Sequence, residues 1–84
     1  MHVSVISAER AVFEGEADAV VAPAYDGLVG ILPRHAPFMT LLGKGIVKVS
    51  RSGDFTRLRV EGGFLQVVAD RVHVVARKAS TADY

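Results

Sequence analysis

His35 is the residue of this chain with the clearest capacity for proton transfer, because an unperturbed imidazole titrates near ~6.5. A catalytic base also needs a nucleophile and an orienting acid within reach, and Thr40 and Asp26 are the nearby candidates. Neither spacing is diagnostic of a catalytic set, although a small hydrolase built on His35 and Thr40 stays open as an alternative. We therefore expect His35 to be a structural or interface residue.

Metal binding and catalysis by paired carboxylates have little support among the remaining ionisable residues. The chain has no cysteine, which excludes disulfides and thiolate metal sites. Glu14 and Glu16 share one face of an extended segment, where a solvated turn beside Gly15 explains them. The three histidines are far apart in sequence and have no ligand spacing: His2, His35 and His73. We predict no metal site.

A phosphate-binding loop is suggested by Gly43-Lys44, but the neighbouring residues do not complete it. Such a loop needs a further glycine upstream and a serine or threonine directly after the lysine. Phe38 and Gly45 occupy those two positions. We therefore predict that the chain has no cofactor-binding residues and no catalytic residues.

Phe55, Arg57 and Arg59 form the pattern that suits nucleic acid best, because they place two cations and an aromatic ring on one strand face. A β-barrel that binds single-stranded nucleic acid is accordingly our alternative function. Asp54 and Glu61 flank the pattern, and a formal net charge of +1 is too small to favour a polyanion. We favour a solvated sheet face with cross-strand charge pairs, and no nucleic-acid partner.

The elements that must position these residues are short β-strands, because apolar and polar residues alternate along most of the chain. Thr56, Leu58 and Val60 share one face of a predicted strand, opposite Arg57 and Arg59. Turn signals recur between such segments: Gly15, Asp26-Gly27, Gly43 with Gly45, Ser52-Gly53-Asp54, Gly62-Gly63 and Asp70. Short strands joined by such turns predict an all-β sandwich or barrel.

Four apolar residues fall out of phase with the alternation around them: Ile46, Phe64, Val68 and Val75. One explanation is that some strands are covered on both sides or that a bulge shifts the phase. The other is an exposed apolar patch for a protein partner, and both stay open. Because the alternation is lost near the end, we predict one domain, residues 1–78, followed by a frayed tail, residues 79–84.

The most specific pattern lies between Asp26 and Thr40, where Pro33 and Pro37 exclude a helix and form a stiff corner around His35. With four further segments it resembles the epsilon subunit of F-type ATP synthase. The matching segments are Ser7-Ala8-Glu9, Phe13-Glu14-Gly15, Gly30-Ile31-Leu32-Pro33-Arg34-His35-Ala36-Pro37-Phe38-Met39-Thr40, Gly45-Ile46-Val47-Lys48-Val49 and Glu61-Gly62-Gly63-Phe64-Leu65-Gln66-Val67. His-Ala-Pro followed later by Gly-Gly is highly specific when both occur in this order.

The resemblance implies a flattened β-sandwich of about ten short strands that does no chemistry and binds no cofactor. It implies a rotor subunit of the central stalk, which links the gamma subunit to the ring of c subunits and supports proton-driven ATP synthesis. Carried over by position, the residues toward gamma are Ser7, His35 and Thr40, and those toward the c-ring loops are Asp26, Gly27 and Leu28.

The resemblance also implies a location and a length. The subunit would be peripheral to an energy-coupling membrane on its cytoplasmic face, with the bacterial plasma membrane favoured over the thylakoid. Family members usually continue into a C-terminal helical hairpin, whereas this chain stops at Tyr84, so we expect no hairpin in it. A naturally short subunit and a piece of a longer protein both stay open.

Two residues within the corner depart from the family pattern. Arg34 replaces the usual glycine, which predicts that the corner needs no positive φ at this position. Leu28 stands where many members carry an acidic residue. A hydrophobic contact with the ring is therefore favoured over an acid–base pair at that point.

Overall fold

The computed structural model of the chain describes residues 1–82, and every regular element within them is a β-strand. The strands are β1 (His2–Ser7), β2 (Ala11–Glu16), β3 (Ala19–Ala24), β4 (Gly27–Ile31), β5 (Phe38–Leu41), β6 (Lys44–Arg51), β7 (Asp54–Val68) and β8 (Arg71–Thr81). No helix occurs in residues 1–82. The predicted all-β class is confirmed.

The strands form one continuous sheet that folds over into two layers. Its order is β2-β1-β8-β7-β6-β3-β4, and β5 pairs with β7 beside this path. Neighbouring strands are antiparallel except β1 and β8, which run parallel. The first half of β7 pairs with β6 and its second half pairs with β5, while β8 pairs with both halves.

The two long strands therefore belong to both layers of a β-sandwich. The first layer contains β2, β1, β5, the start of β8 and the end of β7. The second layer contains β4, β3, β6, the start of β7 and the end of β8. Residues 1–82 form eight strands rather than about ten, because β7 and β8 each supply a segment to both layers.

The core between the layers is apolar throughout the described residues. Leu58 and Val60 are 1% exposed, whereas Arg59 between them points to solvent, as the alternation predicted. No polar or charged side chain within residues 1–82 is buried. The largest fully buried side chains are Ile31, Leu58, Leu65, Val3, Val5, Val20, Val47, Val60, Val67, Val72 and Val74.

β7 passes between the layers through a bend at Gly62-Gly63, where φ is +69° and +101°. Val60 faces the core before the bend and Leu65 faces it afterwards. Since the two residues are five positions apart, a regular strand would place them on opposite faces. A Cβ atom on Gly63 would overlap the Val75 carbonyl oxygen and lie 2.9 Å from Ala76 Cα. The bend thus reverses the inward face of the strand, and only glycine fits it.

The same bend holds the segment that connects β5 to β6. The Leu42 N–H donates to the Gly63 carbonyl at 3.0 Å, and the Gly62 N–H donates to the Gly43 carbonyl at 3.3 Å. Leu42 also forms a β-bridge with Ala24 at the end of β3. Backbone hydrogen bonds therefore join the bend, the end of β5 and the end of β3.

The reversal of phase explains two of the out-of-phase apolar residues, Phe64 and Val68. After the bend, Leu65 and Val67 face the core. Phe64 and Val68 therefore point outward and are 36% and 43% exposed. Val75 and Ile46 are half-buried on the outer faces of the layers. The register between β7 and β8 shows no shift. The phase therefore changes through glycine backbone geometry and not through a bulge.

Two hairpins close with two-residue turns in which both central residues have positive φ. Ser52 and Gly53 join β6 to β7 with φ of +50° and +86°, which confirms the hairpin predicted from Ser52-Gly53-Asp54. Ala69 and Asp70 join β7 to β8 with φ of +51° and +61°. Positive φ at both positions is typical of type I′ turns, whose twist matches that of the flanking strands.

The end of the described chain is more ordered than its composition indicates. Residues 79–81, which we expected in a frayed tail, lie in β8 and pair with β7. Ala79 lies opposite Val60 and packs against the core, so strand pairing extends past the point where the sequence alternation fades. Residues 83 and 84 of that predicted tail lie outside the described residues.

The corner before β5 uses a positive φ at Arg34, so the expectation that Arg34 avoids it is wrong. Arg34 has φ +67°, and the His35 N–H donates to the Leu32 carbonyl at 3.2 Å. With Pro33 before it, Arg34 holds the position that type II turns reserve for glycine or asparagine. The Arg34 N–H donates to Asp70 Oδ1 at 2.9 Å, which ties the corner to the β7–β8 turn.

Gly63→Ala is expected to lower the free energy of unfolding by about 3 kcal/mol or more, because the new Cβ overlaps β8 and φ stays strained. Gly30→Ala is the matched control, since Gly30 has no positive φ and nothing lies within 4 Å of its Cβ position. That change should shift stability by less than about 1 kcal/mol. Urea denaturation measures both variants, and equal midpoints would contradict the proposed role of the bend.

Arg34→Gly is expected to stabilise the fold by about 0.5–1 kcal/mol. Glycine removes a left-handed strain of about 1–2 kcal/mol, and part of this gain is lost to the entropy of the unfolded chain. Arg51→Gly is the control, because Arg51 is an exposed strand residue where glycine only weakens β6. Thermal unfolding compares the two, and a lower Tm for Arg34→Gly would refute the strain at the corner.

Candidate partner-binding surface

Ser7 closes the connection between β1 and β2 through its hydroxyl. Ser7 Oγ accepts hydrogen bonds from the Glu9 and Arg10 N–H groups at 3.3 Å each and donates to the Arg10 carbonyl at 3.2 Å. Such local bonding is typical of serine at turns. The hydroxyl of this predicted gamma-facing residue therefore shapes the loop beside it.

His35 lies on the corner and packs on the start of β5. Its ring meets the Phe38 ring edge-on, with centroids 5.7 Å apart and an interplanar angle of 60°. His35 Nδ1 lies 2.7 Å from the Ala36 carbonyl oxygen, which fixes the proton on that nitrogen when the ring is neutral. These contacts hold the imidazole in one orientation on the corner.

The hydrolase alternative requires His35, Thr40 and Asp26 to converge, and their contacts lead elsewhere. Thr40 Oγ1 donates to the Leu41 carbonyl at 3.4 Å. Thr40 and Asp26 both line a groove beside β5, whereas His35 does not line it. Within residues 1–82, His35 therefore has no hydrogen bond to Thr40 or Asp26.

An apolar row crosses the outer face of the first layer on four strands. Strand register places Ile6 beside Val75, Val75 beside Phe64, and Phe64 beside Leu41. Residues that lie opposite one another on paired strands point to the same side of the sheet. We call these four residues the apolar row.

An open groove continues from the apolar row around the edge of the sandwich to the β3–β4 turn. It encloses about 650 Å³ between this turn and β5, and the Tyr25 N–H donates to the Leu41 carbonyl at 3.0 Å across its base. We call it the turn groove; its lining includes Tyr25, Asp26, Leu28, Met39, Thr40, Leu41 and Phe64. Leu41 and Phe64 belong to both features, so the apolar surface is continuous.

Large apolar side chains are unusually exposed at the turn groove. Leu28 is 76% exposed, Tyr25 68%, Leu41 62% and Met39 60%. Contiguous exposed apolar surface on a small soluble domain commonly marks a protein-binding site. The apolar row and the turn groove therefore form the candidate partner-binding surface.

The structure brings together some of the predicted site residues and leaves others apart. Asp26, Leu28 and Thr40 line the same groove. Gly27 opens β4 beside them with φ +135°. Ser7 lies at the end of β1, separated from β5 by β8 and β7.

Three exposed residues of this surface are not recognisable as exposed from the sequence: Tyr25, Met39 and Leu41. All residues from Phe38 to Leu42 are apolar except Thr40, so apolar and polar residues do not alternate there. The sequence pattern therefore does not show which side chains of this segment point to solvent. Phe64 and Val75 are recognisable from their phase, because the strand around them alternates clearly. The exposure of Met39 and Leu41 follows from the pairing of β5 with the second half of β7, which the local sequence does not reveal.

Ionisable groups elsewhere form local pairs. His2 lies between two carboxylates, with Nδ1 3.1 Å from Glu16 and Nε2 3.1 Å from Glu14, and so ties β1 to the edge strand β2. Among the described residues, no group of His, Cys, Asp and Glu side chains has the arrangement of a metal site. Nor do residues 1–82 include a helix of the length and hydropathy that crossing a bilayer requires.

The residues of the nucleic-acid alternative lie on the outer face of the second layer, away from the apolar row. Phe55, Arg57 and Arg59 project from the first half of β7. Lys48 Nζ lies over the Phe55 ring, 4.1 Å from its centroid, and Arg57 Cζ lies 5.8 Å from it. The aromatic ring is therefore already engaged by cations of the chain itself.

Comparison with known solved structures supports the fold. A chain in the cryo-EM structure of Euglena gracilis mitochondrial ATP synthase, described as OSCP/F1/c-ring in rotational state 1, superposes with a TM-score of 0.86 at 21% identity. The match covers 94% of this chain and 51% of that one. A chain of the Tetrahymena thermophila mitochondrial ATP synthase central stalk and c-ring superposes with a TM-score of 0.73 at 16% identity, over 93% and 63% of the two chains.

Sequence comparison gives closer relatives, all named ATP synthase epsilon chain. That of Chloroflexus aurantiacus is 41% identical over 83 residues, which cover 99% of this chain and 60% of the relative. That of Dehalococcoides mccartyi is 45% identical over 83 residues, with 99% and 59% covered. That of Desulforamulus reducens is 44% identical over 79 residues, with 94% and 60% covered. The chain spans about three fifths of the length of these relatives.

The family comparison covers nearly the whole chain. Residues 1–82 match the family described as ATP synthase, Delta/Epsilon chain, beta-sandwich domain. The matched residues are the eight strands and the apolar core described above. The chain therefore belongs to the ATP synthase delta/epsilon family, within its beta-sandwich domain, as the motif resemblance predicted.

Proposed function

We propose that this protein is a non-catalytic subunit of the central stalk of an F-type ATP synthase, which links the gamma subunit to the c-ring and supports proton-driven ATP synthesis. The observation that carries the proposal is the continuous exposed apolar surface of the apolar row and turn groove in a domain of this family. A subunit that transmits rotation needs adhesive surface and rigidity rather than a catalytic centre. The relatives named ATP synthase epsilon chain support the same role.

The first proposed contact is with the gamma subunit, through His35, Thr40 and Ser7. Thr40 lies opposite the buried Leu65 and so points to the inner side of β5, where it lines the turn groove. Met39 and Leu41 on either side of it point outward and offer exposed apolar area to the same partner. His35 borders this strand through its contact with Phe38. Ser7 lies at the far end of the row that begins with Leu41. A partner that covers the apolar row and also enters the turn groove would meet Thr40 in the groove and border His35 and Ser7.

The second proposed contact is with the polar loops of the c-ring, through Asp26, Gly27 and Leu28. These residues form the tip of the β3–β4 turn at one end of the sandwich. Leu28 is the most exposed large apolar residue of the described chain, and Asp26 beside it is exposed. The pair offers the ring one apolar side chain and one carboxylate.

The proposed location follows from the complex and not from any membrane segment of the chain. The subunit is peripheral to the cytoplasmic face of an energy-coupling membrane, held there through gamma and the c-ring. A bacterial plasma membrane is favoured over a thylakoid, because the relatives compared above are bacterial.

Thr40→Ala and His35→Ala are each expected to weaken binding to the gamma subunit of the same organism by about tenfold, the usual cost of about 1–2 kcal/mol at a binding hot spot. Leu41→Asp should abolish binding, because it places a charge in the apolar surface. Ser80→Ala, on the outer face of the other layer, is the control and should leave the affinity unchanged. Isothermal titration calorimetry measures the Kd values, and a wild-type chain without affinity for gamma would refute the contact.

Leu28→Cys is expected to form a disulfide with a cysteine engineered into the polar loop of the c subunit, because the proposed contact brings the two within bonding distance. The chain has no native cysteine, so that every cross-link reports the introduced position. Asp54→Cys, on the β6–β7 hairpin at the opposite end of the sandwich, should give none. Oxidation of the assembled complex followed by non-reducing electrophoresis distinguishes the two, and equal yields would contradict the orientation.

A further inference from the structure

The outer face of the second layer carries a concentration of positive charge. Strand register places Lys48 opposite Arg57, and Glu61 between Lys44 and Lys78. We call this surface the cationic face; its members are Lys44, Lys48, Arg57, Arg59, Lys78 and Glu61. Five cations and one carboxylate stand on this face, whereas the whole chain has a formal net charge of +1.

Negative and positive residues are also separated along the sequence. The first 26 residues contain five carboxylates and one arginine, while most cations follow residue 33. A positive face within a nearly neutral protein attracts anions locally, and the effect is strongest at low ionic strength.

Lys48 and Arg57 form the row of this face that lies nearest the β6–β7 hairpin, and they repel each other. Like charges that lie directly opposite on neighbouring strands are destabilising. Within residues 1–82 neither side chain forms an ion pair with a carboxylate, whereas Lys44 Nζ lies 3.6 Å from Glu61 Oε1. Both cations lie near the Phe55 ring, with Lys48 Nζ 4.1 Å and Arg57 Cζ 5.8 Å from its centroid. An anionic group bound here would remove the repulsion.

We infer that the cationic face binds an acidic helical segment of another protein, with carboxylates placed on Lys48 and Arg57. Paired side chains on adjacent strands are about 5 Å apart at Cβ, which matches the spacing of about 5–6 Å between residues i and i+4 on a helix. Two glutamates at that spacing can therefore meet both cations at once. Ile46 and Val21 lie beside Lys48 and offer apolar contact to the rest of the helix.

Nucleic acid and lipid fit this face less well than an acidic helix does. A base needs an aromatic ring with a free face, and Lys48 lies over the Phe55 ring. A bilayer surface is bound through apolar side chains that reach the acyl boundary. Val21 lies within β3 and is 36% exposed, so it offers only a small apolar area for such contact. Carboxylates with limited apolar contact match the face better.

The test uses a fluorescent alanine-leucine helix of about 20 residues with glutamates at i and i+4, titrated with the wild-type chain. We expect binding that weakens as salt rises, and no comparable binding of the same helix with glutamine for glutamate. Lys48→Glu should weaken binding by at least about tenfold. Arg71→Glu makes the same charge change on the first layer and should retain the wild-type affinity.

A stability measurement separates loss of binding from loss of folding. Lys48→Glu places a carboxylate opposite the Arg57 guanidinium and so replaces repulsion by attraction. The urea midpoint of this variant should therefore rise while its affinity for the helix falls. If this variant does not fold, Lys48→Gln serves in its place, with the same expected loss of binding. If Lys48→Glu raises the stability of the chain and lowers its affinity for the helix, the positive charge at this position serves binding and not folding.

Four results would overturn the inference. They are equal affinity for the glutamate and glutamine helices, equal loss in Lys48→Glu and Arg71→Glu, tighter binding of an oligothymidylate or of phosphatidylglycerol vesicles than of the helix, and self-association of the chain through this face by sedimentation. None of these measurements includes gamma or the c-ring, so their outcome is independent of the proposed stalk function.

Discussion

The backbone bend at Gly62-Gly63 is the constraint on which the rest of the structure depends. It lets β7 and β8 leave one layer and enter the other without breaking their register. Because it reverses the inward face, Leu65 continues the core while Phe64 is turned to the surface. Its two backbone hydrogen bonds to the β5–β6 connection also fix where β5 lies. The same glycines therefore determine the closed core and the position of the apolar surface.

Because the core formed by residues 1–82 is apolar throughout, recognition depends on the outer surfaces of the sandwich. The outer face of the first layer and the turn groove offer apolar side chains, whereas the outer face of the second layer offers cations. The two surfaces are built on different segments of the same long strands. A load on one of them is transmitted through β7 and β8 to the other, because both strands are continuous across the bend.

Local periodicity predicts the strands well, since residues such as Leu58 and Val60 alternate with charged neighbours on a half-buried sheet. What it does not predict is the geometry that depends on distant pairing. Gly62-Gly63 reads as an ordinary turn, although it is a bend within one strand. Ala79 reads as the start of a tail, although pairing with Val60 retains it in β8. Arg34 reads as a residue that avoids positive φ, although its N–H bond to Asp70 holds it there. Likewise Phe64 is recognisable as exposed from its phase, whereas Met39 and Leu41 depend on the pairing of β5.

The parallel pairing of β1 with β8 has a mechanical consequence. The first and last strands of the described chain lie side by side and point the same way, and six residue pairs join them from His2 to Ser7. Tension between the two ends would pull these strands in opposite directions along their length. Their ladder bonds would then bear the force together in shear instead of opening one after another. A domain built in this way resists stretching at its ends more strongly than its modest size suggests.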